Sequence, residues 1–226
     1  MIYFDNVSKK YPDGTHSLES VMLSITPGEF VSIVGHSGAG KTTLAKLILA
    51  EESPTEGSVF FESTDIQSFS NKALRNFRRK IGIIFQDFRL LANKTAYENI
   101  AFAMEASGKS DEEINEDVPR VLELVDLAHR SLHFPHQLSG GEKQRLAIAR
   151  AIITQPSVII ADEPTGNLDP VNANDVINIL KKINDLGTTV ILTTHNKDVV
   201  DSLGSRVITL EKGKIIRDDK DGKYVI

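Results

Sequence analysis

The sequence of 226 residues contains no cysteine, which excludes disulfide bonds, thiolate metal sites and cysteine nucleophiles. It also lacks any apolar run near the ~18 residues that a membrane-spanning helix requires. Its first six residues lack the charged and apolar regions of a signal peptide. We therefore expect a cytosolic chain, unless a partner holds it at a membrane.

The chain also lacks an excess of positive charge. The formal net charge is −5, which argues against a protein that binds nucleic acid. What the chain does have is an ordinary globular composition, with 40% hydrophobic and 25% charged residues. This length and composition suit one large α/β domain or a domain with a subdomain.

The order of predicted elements favours an α/β fold. A turn at 11–14 separates two β-rich segments, which predicts an antiparallel β-element beside the main sheet. Strands alternate with helices elsewhere, which implies a parallel sheet with right-handed crossovers. Strands are predicted at 2–7, 17–25, 29–34, 58–62, 81–85, 158–161, 188–193, 206–210 and 214–217. Helices are predicted at 43–50, 71–79, 96–106, 111–127, 141–154, 172–186 and 197–203.

From 87 to about 155 the apolar spacing is helical, so we expect a mostly helical insertion. Ser110, with Glu113 three residues later, has the pattern of a capping box at the start of one of these helices. The charged stretch 217–224 reads as a solvated tail.

The segment at 35–43 reads Gly-His-Ser-Gly-Ala-Gly-Lys-Thr-Thr and fits the phosphate-loop pattern between a predicted strand and a predicted helix. Glycines let successive backbone N–H groups turn toward phosphate oxygens, and the helix start adds the positive end of its dipole. Lys41 would reach the β- and γ-phosphates, and the Thr42 hydroxyl would ligate Mg²⁺. The predicted phosphate-binding residues are Gly35, Ser37, Gly38, Ala39, Gly40, Lys41, Thr42 and Thr43.

A phosphate loop needs a carboxylate for Mg²⁺, and the apolar strand at 158–161 is followed by two acids. Asp162 fits the metal ligand, directly or through water. Glu163, one residue further on, is placed to accept a proton from an attacking water.

A second candidate anion site begins at Ser139, where Ser139-Gly140-Gly141 opens a predicted helix. Such a start offers free N–H groups, a hydroxyl and a helix dipole. Taken alone, the pattern favours an ordinary N-capped helix that binds no anion, which is the commoner case.

These motifs, in this order, resemble the ATP-binding-cassette (ABC) ATPases over essentially the whole chain. The resemblance also rests on Gln86 after strand 81–85, on Asn-Leu-Asp-Pro at 167–170 and on His195 after strand 188–193. It implies a P-loop NTPase nucleotide-binding domain with an antiparallel β-subdomain and a helical subdomain. The implied activity is hydrolysis of ATP to ADP and phosphate, with ATP and Mg²⁺ bound.

The same resemblance assigns roles residue by residue. Tyr11 would stack on adenine, although a tyrosine that only packs the turn would look the same. Gln86 would contact Mg²⁺ and the attacking water, and His195 would contact the γ-phosphate. The implied catalytic residues are Lys41, Gln86, Glu163 and His195. The implied Mg²⁺ ligands are Thr42, Gln86 and Asp162.

The resemblance further implies a single domain over 1–226, with a RecA-like core and β-subdomain at 1–86 and 157–226 and a helical subdomain at 87–156. Two copies would pack head to tail in an ATP-dependent homodimer. Ser139, Gly140 and Gly141 of one copy would then face the γ-phosphate bound by the other, and Asp169 would link the two sites. Nucleic acid is not an expected partner.

The sequences of these motifs closely resemble those of the cell-division branch of that family. The resemblance implies action on an integral membrane partner that regulates peptidoglycan hydrolases. The chain would then lie at the cytoplasmic face of the membrane. An exporter subunit for lipoproteins or macrolides remains the alternative. Exposed Phe88, Leu90 and Leu91 would form the docking patch, unless they pack the helical core. A non-hydrolysing scaffold is disfavoured because Lys41 and the acids are all present.

Overall fold

The computed structural model describes residues 1–220 and 222–224. Its strands are β1 (Ile2–Lys10), β2 (His16–Ile25), β3 (Phe30–Val34), β4 (Glu56–Phe61), β5 (Thr64–Asp65), β6 (Ile81–Phe85), β7 (Val158–Asp162), β8 (Thr189–Thr194), β9 (Arg206–Glu211) and β10 (Lys214–Asp219). Its α-helices are α1 (Lys41–Ile48), α2 (Asn71–Arg78), α3 (Ala96–Ala106), α4 (Asp111–Leu124), α5 (Gly140–Ile152), α6 (Pro170–Asp185) and α7 (Lys197–Leu203). None of the helices in these described ranges is both long and apolar enough to cross a membrane.

The larger sheet has the strand order β10-β9-β3-β8-β7-β6 among the described residues. Its strands run parallel except for β10, which pairs antiparallel with β9. Every residue of β3 and β8 is buried, as expected for parallel strands covered by helices on both faces. The carboxyl ends of β3, β7 and β8 therefore meet at one edge of the sheet, where ligands bind in open α/β sheets.

A smaller antiparallel sheet, of order β2-β1-β4-β5 in the described chain, packs beside the larger one. Its inward residues share one hydrophobic core with α1 and with the strands of the parallel sheet. The predicted α/β class and the predicted antiparallel β-element are both confirmed. The shared core fixes α1, and with it the phosphate loop, between the two sheets.

In the described stretch between β6 and β7 the chain forms helices and turns, and α3, α4 and α5 share a hydrophobic core of their own. The predicted capping box at Ser110 and Glu113 is confirmed. The helix predicted at 111–127 ends at Leu124 instead, because Asp126 has a φ of 56°. Val125 and Leu127 are still buried, so the apolar pattern continues after the helix has ended. The subdomain boundaries at 87 and 156 stay a prediction.

The prediction of a solvated tail at 217–224 is wrong in two places. Residues up to Asp219 belong to β10, where Asp218 accepts two hydrogen bonds of 2.6 Å from the guanidinium of Arg206. Tyr224 is half-buried and packs against Val34, Val200 and Val207. Asp221 lies outside the described residues. The charged pattern hid both an edge strand and a packed aromatic ring.

Candidate active site

The phosphate loop turns sharply between β3 and α1, and its last position before the helix requires glycine. Gly40 has a φ of 109°, and a Cβ there would lie 2.5 Å from the carbonyl oxygen of Ser17. Both observations exclude a larger residue. Because the N-cap residue has no side chain, the first N–H groups of α1 are left for an anion.

Lys41 is the first residue of α1, and only 8% of its surface is exposed. Its Nζ donates hydrogen bonds to the carbonyl oxygens of Gly35 at 2.7 Å and His36 at 3.3 Å. The same Nζ lies 3.6 Å from Oε1 of Glu163, which follows β7. The lysine therefore stretches back along the loop toward the acid of a different strand, and its charge is held where the loop curls.

Asp162 ends β7 and is fixed by hydroxyl groups from two neighbouring elements. Thr193 of β8 donates to Oδ1 of Asp162 at 2.5 Å, and Thr42 of α1 donates to Oδ2 at 3.4 Å. Thr193 also accepts a hydrogen bond of 3.2 Å from the backbone N–H of Glu163. The threonine thus orients both acids, and the hydroxyl of Thr42 and the carboxylate of Asp162 converge on one point.

Glu163 has a φ of 49°, which is rare for a non-glycine residue and costs about 1–3 kcal/mol. That backbone turns its side chain back to the sheet edge, where Oε2 lies 2.9 Å from Nδ1 of His195. The Glu163 side chain is 16% exposed and that of His195 is 65% exposed. The pair therefore joins a shielded carboxylate to an accessible imidazole.

A cavity of about 550 Å³ lies at this sheet edge, and Asp162, which bonds to the cavity residue Thr42, is not itself among its lining residues. The predicted residues Ser37, Gly38, Gly40, Lys41, Thr42, Thr43, Gln86, Glu163 and His195 all line it. Tyr11 adjoins the cavity, since its hydroxyl is 3.3 Å from the hydroxyl of Thr43. Ala39 is buried in the core shared by the sheets, and a Cβ on Gly35 would lie 2.3 Å from a carbonyl oxygen of β9. These two residues shape the loop from behind.

Gln86 is tied to the loop that follows β7. Its Nε2 donates to Oδ1 of Asn167 at 3.3 Å, and Nδ2 of Asn167 donates back to the carbonyl oxygen of Gln86 at 3.2 Å. Gly166 leaves room for this pair, because a Cβ there would lie 2.8 Å from the Gln86 amide. The amide nitrogen is therefore occupied, and the amide oxygen is the atom available to a cation.

The loop after Gln86 is strained and strapped to α5. Phe88 and Arg89 have φ values of 62° and 46°. The guanidinium of Arg150 donates to the carbonyl oxygen of Arg89 at 2.6 Å and to that of Phe88 at 3.1 Å. Burial of this guanidinium lowers the pKa of Arg150. One side chain of α5 thus holds the loop in its left-handed conformation.

The structure places Ser139, Gly140 and Gly141 away from this cavity. Ser139 is exposed and caps its own helix, accepting a hydrogen bond of 3.2 Å from the N–H of Glu142. A Cβ on Gly141 would lie 1.9 Å from Oδ1 of Asn172, so the start of α5 packs directly on α6.

Asp169 also lies on this side. Its carboxylate caps α6 by accepting hydrogen bonds from the N–H groups of Val171 and Asn172, both at 3.0 Å. These bonds, of which that from Asn172 is the largest influence, lower the pKa of Asp169. Asp169 and the start of α5 therefore adjoin the same residue, Asn172, rather than the phosphate cavity.

Four residues with a part in this site were not singled out from the sequence. Ser17, His36 and Tyr224 line the cavity, and Thr193 orients the two acids. Thr193 carried a usable signal, because a buried threonine at the end of an apolar strand needs a polar partner. Ser17 and Tyr224 carried none, since only the tertiary fold brings β2 and the C-terminal residues to this edge.

The predicted docking patch is only partly supported. Phe88, Leu90 and Leu91 are all half-buried, and Leu90 packs against the core of the helical stretch. Leu91 lines a groove of about 520 Å³ between α2, β6, α3 and α5, which also contains Phe102. We call this the α2–α3 groove. Its charged lining residues are Arg75, Arg78, Arg79 and Arg150.

Comparison with known proteins agrees with this geometry. A sequence model of the ABC transporter family matches residues 18–166. The cell division ATP-binding protein FtsE of Bacillus subtilis is 48% identical over 99% of this chain and 98% of its own. The methionine import ATP-binding protein MetN 1 of Bacillus thuringiensis is 43% identical over 97% of this chain but only 66% of its own. The dimeric, post-hydrolysis ATP-binding cassette MJ0796, bound to ADP and Pi, has a TM-score of 0.89 at 37% identity over 99% and 100% of the two chains.

Proposed function

The chain belongs to the ABC transporter family and is an ATPase, and from that premise we propose that it powers a cell-division complex at the membrane. In this proposal two copies close around ATP and act on an integral membrane protein of the FtsX type, which regulates peptidoglycan hydrolases. The observation that carries the proposal is the contact of Glu163 with both Lys41 and His195 at one cavity, in a chain similar to FtsE along nearly its full length.

For the hydrolytic step, the contacts support distinct roles. Lys41 supplies a buried cation beside the loop that would cradle the β- and γ-phosphates. Glu163 is the proposed general base, because its carboxylate is shielded and is held between Lys41 and His195. His195 would orient that carboxylate through Nδ1, and its exposed imidazole would reach the γ-phosphate.

The residues present fit Mg²⁺. The Thr42 hydroxyl and the Asp162 carboxylate lie 3.4 Å apart, and the Gln86 amide oxygen is the available atom of that side chain. All three are hard oxygen ligands of the kind Mg²⁺ prefers. Across the described ranges there is no cluster of three His, Cys, Asp or Glu, which suits an ion that takes its other ligands from phosphate and water. When bound, the ion would neutralise charge on the phosphates.

The position of Ser139–Gly141 supports the head-to-tail homodimer. Ser139 and Gly140 are exposed, and none of these three residues lines the chain's own cavity, so in this proposal an ATP bound there would meet them on a second copy. MJ0796, whose structure is dimeric, has the same fold at 37% identity. In such a dimer each nucleotide becomes part of the interface, and hydrolysis loosens it.

The α2–α3 groove supports the membrane partner. It combines apolar walls with four arginines, and Phe102 in it is 45% exposed. Such a groove fits a short helix with one apolar face and flanking acidic residues, as a cytoplasmic segment of a membrane protein can supply.

The test is reconstitution with the FtsX-type membrane protein of the same cell in lipid nanodiscs. We expect stable binding and faster ATP hydrolysis than with nanodiscs that carry an exporter subunit for lipoproteins or macrolides. Preferential binding to the exporter subunit would overturn the cell-division assignment and leave the ATPase assignment standing.

A groove variant sharpens that test. Phe102→Ser should weaken nanodisc binding by roughly tenfold, as the loss of one buried aromatic anchor predicts. The matched control is Leu132→Ser, which alters an apolar side chain that is 78% exposed outside the groove. Basal ATP hydrolysis is expected to be unchanged in both variants. Equal nanodisc binding by the two variants would show that the α2–α3 groove is not the docking surface.

A further inference from the structure

Residues 222–224 bring Tyr224 to the ATP cavity and are anchored to α7 and the turn after it by their backbone. The N–H of Gly222 donates to the carbonyl oxygen of Ser205 at 3.3 Å, and that of Tyr224 donates to Oδ1 of Asp201 at 2.8 Å. A Cβ on Gly222 would lie 2.6 Å from Cβ of Val207, so this close approach to β9 requires glycine. Asp201 belongs to α7, which begins two residues after His195.

The side chain of Tyr224 is placed by this anchoring. Its ring packs against Val34, Val200 and Val207, which join β3, α7 and β9. The same residue lines the ATP cavity together with Glu163 and His195. Burial raises the pKa of the Tyr224 phenol, and the nearby Glu163 carboxylate raises it further. The hydroxyl therefore stays protonated and remains a hydrogen-bond donor at a cavity that holds a carboxylate.

We propose that Tyr224 is a positioning residue of the ATP site, which holds the Glu163–His195 pair in its working orientation. In this proposal its hydroxyl donates to an anionic group of the cavity, and its ring, fixed against Val34, Val200 and Val207, limits where the His195 side chain can lie. The inference rests on the proposed role of Glu163 as general base. The inference extends the proposed site, because it makes Tyr224 part of the reaction site rather than part of a solvated tail.

The geometry favours positioning over a blocking role. The ring lies in a hydrophobic cluster and forms a wall of the cavity, which has about 550 Å³ of space beside it. A side chain that only plugged the site would fill that space instead of lining it. The contacts at Ser205, Val207 and Asp201 tie this segment to α7 and β9, and α7 begins two residues after His195.

The test is steady-state kinetics of the full chain with MgATP. We expect Tyr224→Phe to lower kcat roughly three- to tenfold, because it deletes the hydroxyl that is proposed to donate to the anionic groups of the cavity, with KM for ATP changed less than about twofold. Tyr224→Ala, which also removes the wall, should lower kcat further. The matched control is Tyr97→Phe, which loses a hydroxyl that donates to Asn115 at 2.9 Å on the helical stretch.

A fall in kcat with an almost unchanged KM for ATP separates a positioning role from general destabilisation. A kcat for Tyr224→Phe equal to that of the unaltered chain would overturn the proposal, and so would a rise in kcat, which marks a blocking residue. Glu163→Gln is measured beside it. Full activity in Glu163→Gln would refute the general base itself, whereas an inactive Glu163→Gln with an unaffected Tyr224→Phe would refute only the role of Tyr224.

Discussion

The phosphate cavity and the Ser139 end of α5 are both candidates for binding an anion, yet they are held together in opposite ways. Around the cavity the contacts are tertiary: Lys41 of α1 reaches Glu163 after β7, and Glu163 reaches His195 after β8. At the α5 end the hydrogen bonds of Ser139 are local, although Gly141 packs on Asn172 of α6 and Glu142 pairs with Arg130. Ser139 and Glu142 bond each other within one helical turn.

This difference has a functional meaning. The cavity exists only when the segments that follow β3, β6, β7 and β8 are brought together, and its buried Lys41 is already paired with Glu163. The capping box at the start of α5 forms within that helix, and Ser139 stays exposed. In the proposed dimer, Ser139 would therefore be free to meet the nucleotide bound by a second copy. Four substitutions break or sharpen this comparison.

The largest effect is expected from Glu163→Gln, which removes the shielded carboxylate while keeping its shape. We expect ATP turnover to fall by at least about 100-fold, the usual contribution of a general base. ATP binding should persist, and the ATP-bound dimer should become stable on size exclusion. Glu62→Gln serves as control, since Glu62 pairs with Lys80 at 2.7 Å on the surface. Hydrolysis of ATP by Glu163→Gln at the wild-type rate would show that Glu163 is not the general base.

Lys41→Ala should weaken nucleotide binding, and hydrolysis with it. It deletes the buried ammonium of the loop, so we expect nucleotide affinity to fall roughly 10- to 100-fold, the loss of hydrogen bonds to a charged group. Isothermal titration with a non-hydrolysable ATP analogue measures it. Lys46→Ala on the same helix is the control. Unchanged affinity in Lys41→Ala would contradict the phosphate-loop assignment.

Ser139→Ala tests the exposed start of α5. We expect hydrolysis to fall about tenfold, the loss of one hydrogen bond to a charged group, while nucleotide affinity holds. The cap is lost as well, which costs about 1 kcal/mol of stability. Ser110→Ala matches that cost, because Ser110 forms the same capping box at α4.

A mixture of two variants tests more sharply whether Ser139 acts on the nucleotide bound by a second copy. In a head-to-tail dimer, a Ser139→Ala chain paired with a Lys41→Ala chain rebuilds one intact site from the unaltered Lys41 of the first and the unaltered Ser139 of the second. The mixture should then hydrolyse ATP faster than either variant alone. Activity equal to the average of the two would show that Ser139 of one copy does not meet the nucleotide bound by the other.

Thr193→Val should have the smallest effect. The change keeps the shape of a buried side chain but removes the hydroxyl that contacts both Asp162 and the N–H of Glu163. We expect turnover to fall roughly three- to tenfold and the midpoint of thermal unfolding to drop slightly. Thr189→Val at the other end of β8 is the control. A larger loss of turnover in Thr189→Val than in Thr193→Val would show that the substitutions act only through packing.

The features that depend on neighbours in sequence were predictable. Helices α3 and α7 and strand β6 have the predicted bounds, and the capping box at Ser110 was recognised. The start of α6 was missed by two residues although its signal was present. Asp169 is a favourable N-cap and Pro170 a favourable first helical residue, so the pattern marks the observed start at Pro170.

The features that depend on distant contacts were not predictable. Tyr224 stands in a charged stretch with no periodic pattern, and only the pairing of β10 with β9 brings it to the cavity. Thr193 gains its importance from Asp162 on the neighbouring strand, 31 residues earlier. The groups that perform the proposed chemistry could be named from motifs, whereas the groups that orient them follow from the packing of the sheet.

The strap from Arg150 to the loop at 88–89 has a thermodynamic consequence. It joins the loop that begins at Gln86, the wall of the α2–α3 groove and the helix that starts beside Ser139. In the proposed function, a partner segment in the groove would contact Arg150, and a nucleotide in the cavity would contact Gln86, which lies two residues before the loop that Arg150 holds. Because coupling free energies are reciprocal, whatever factor a groove ligand adds to ATP affinity, ATP adds to the affinity of that ligand.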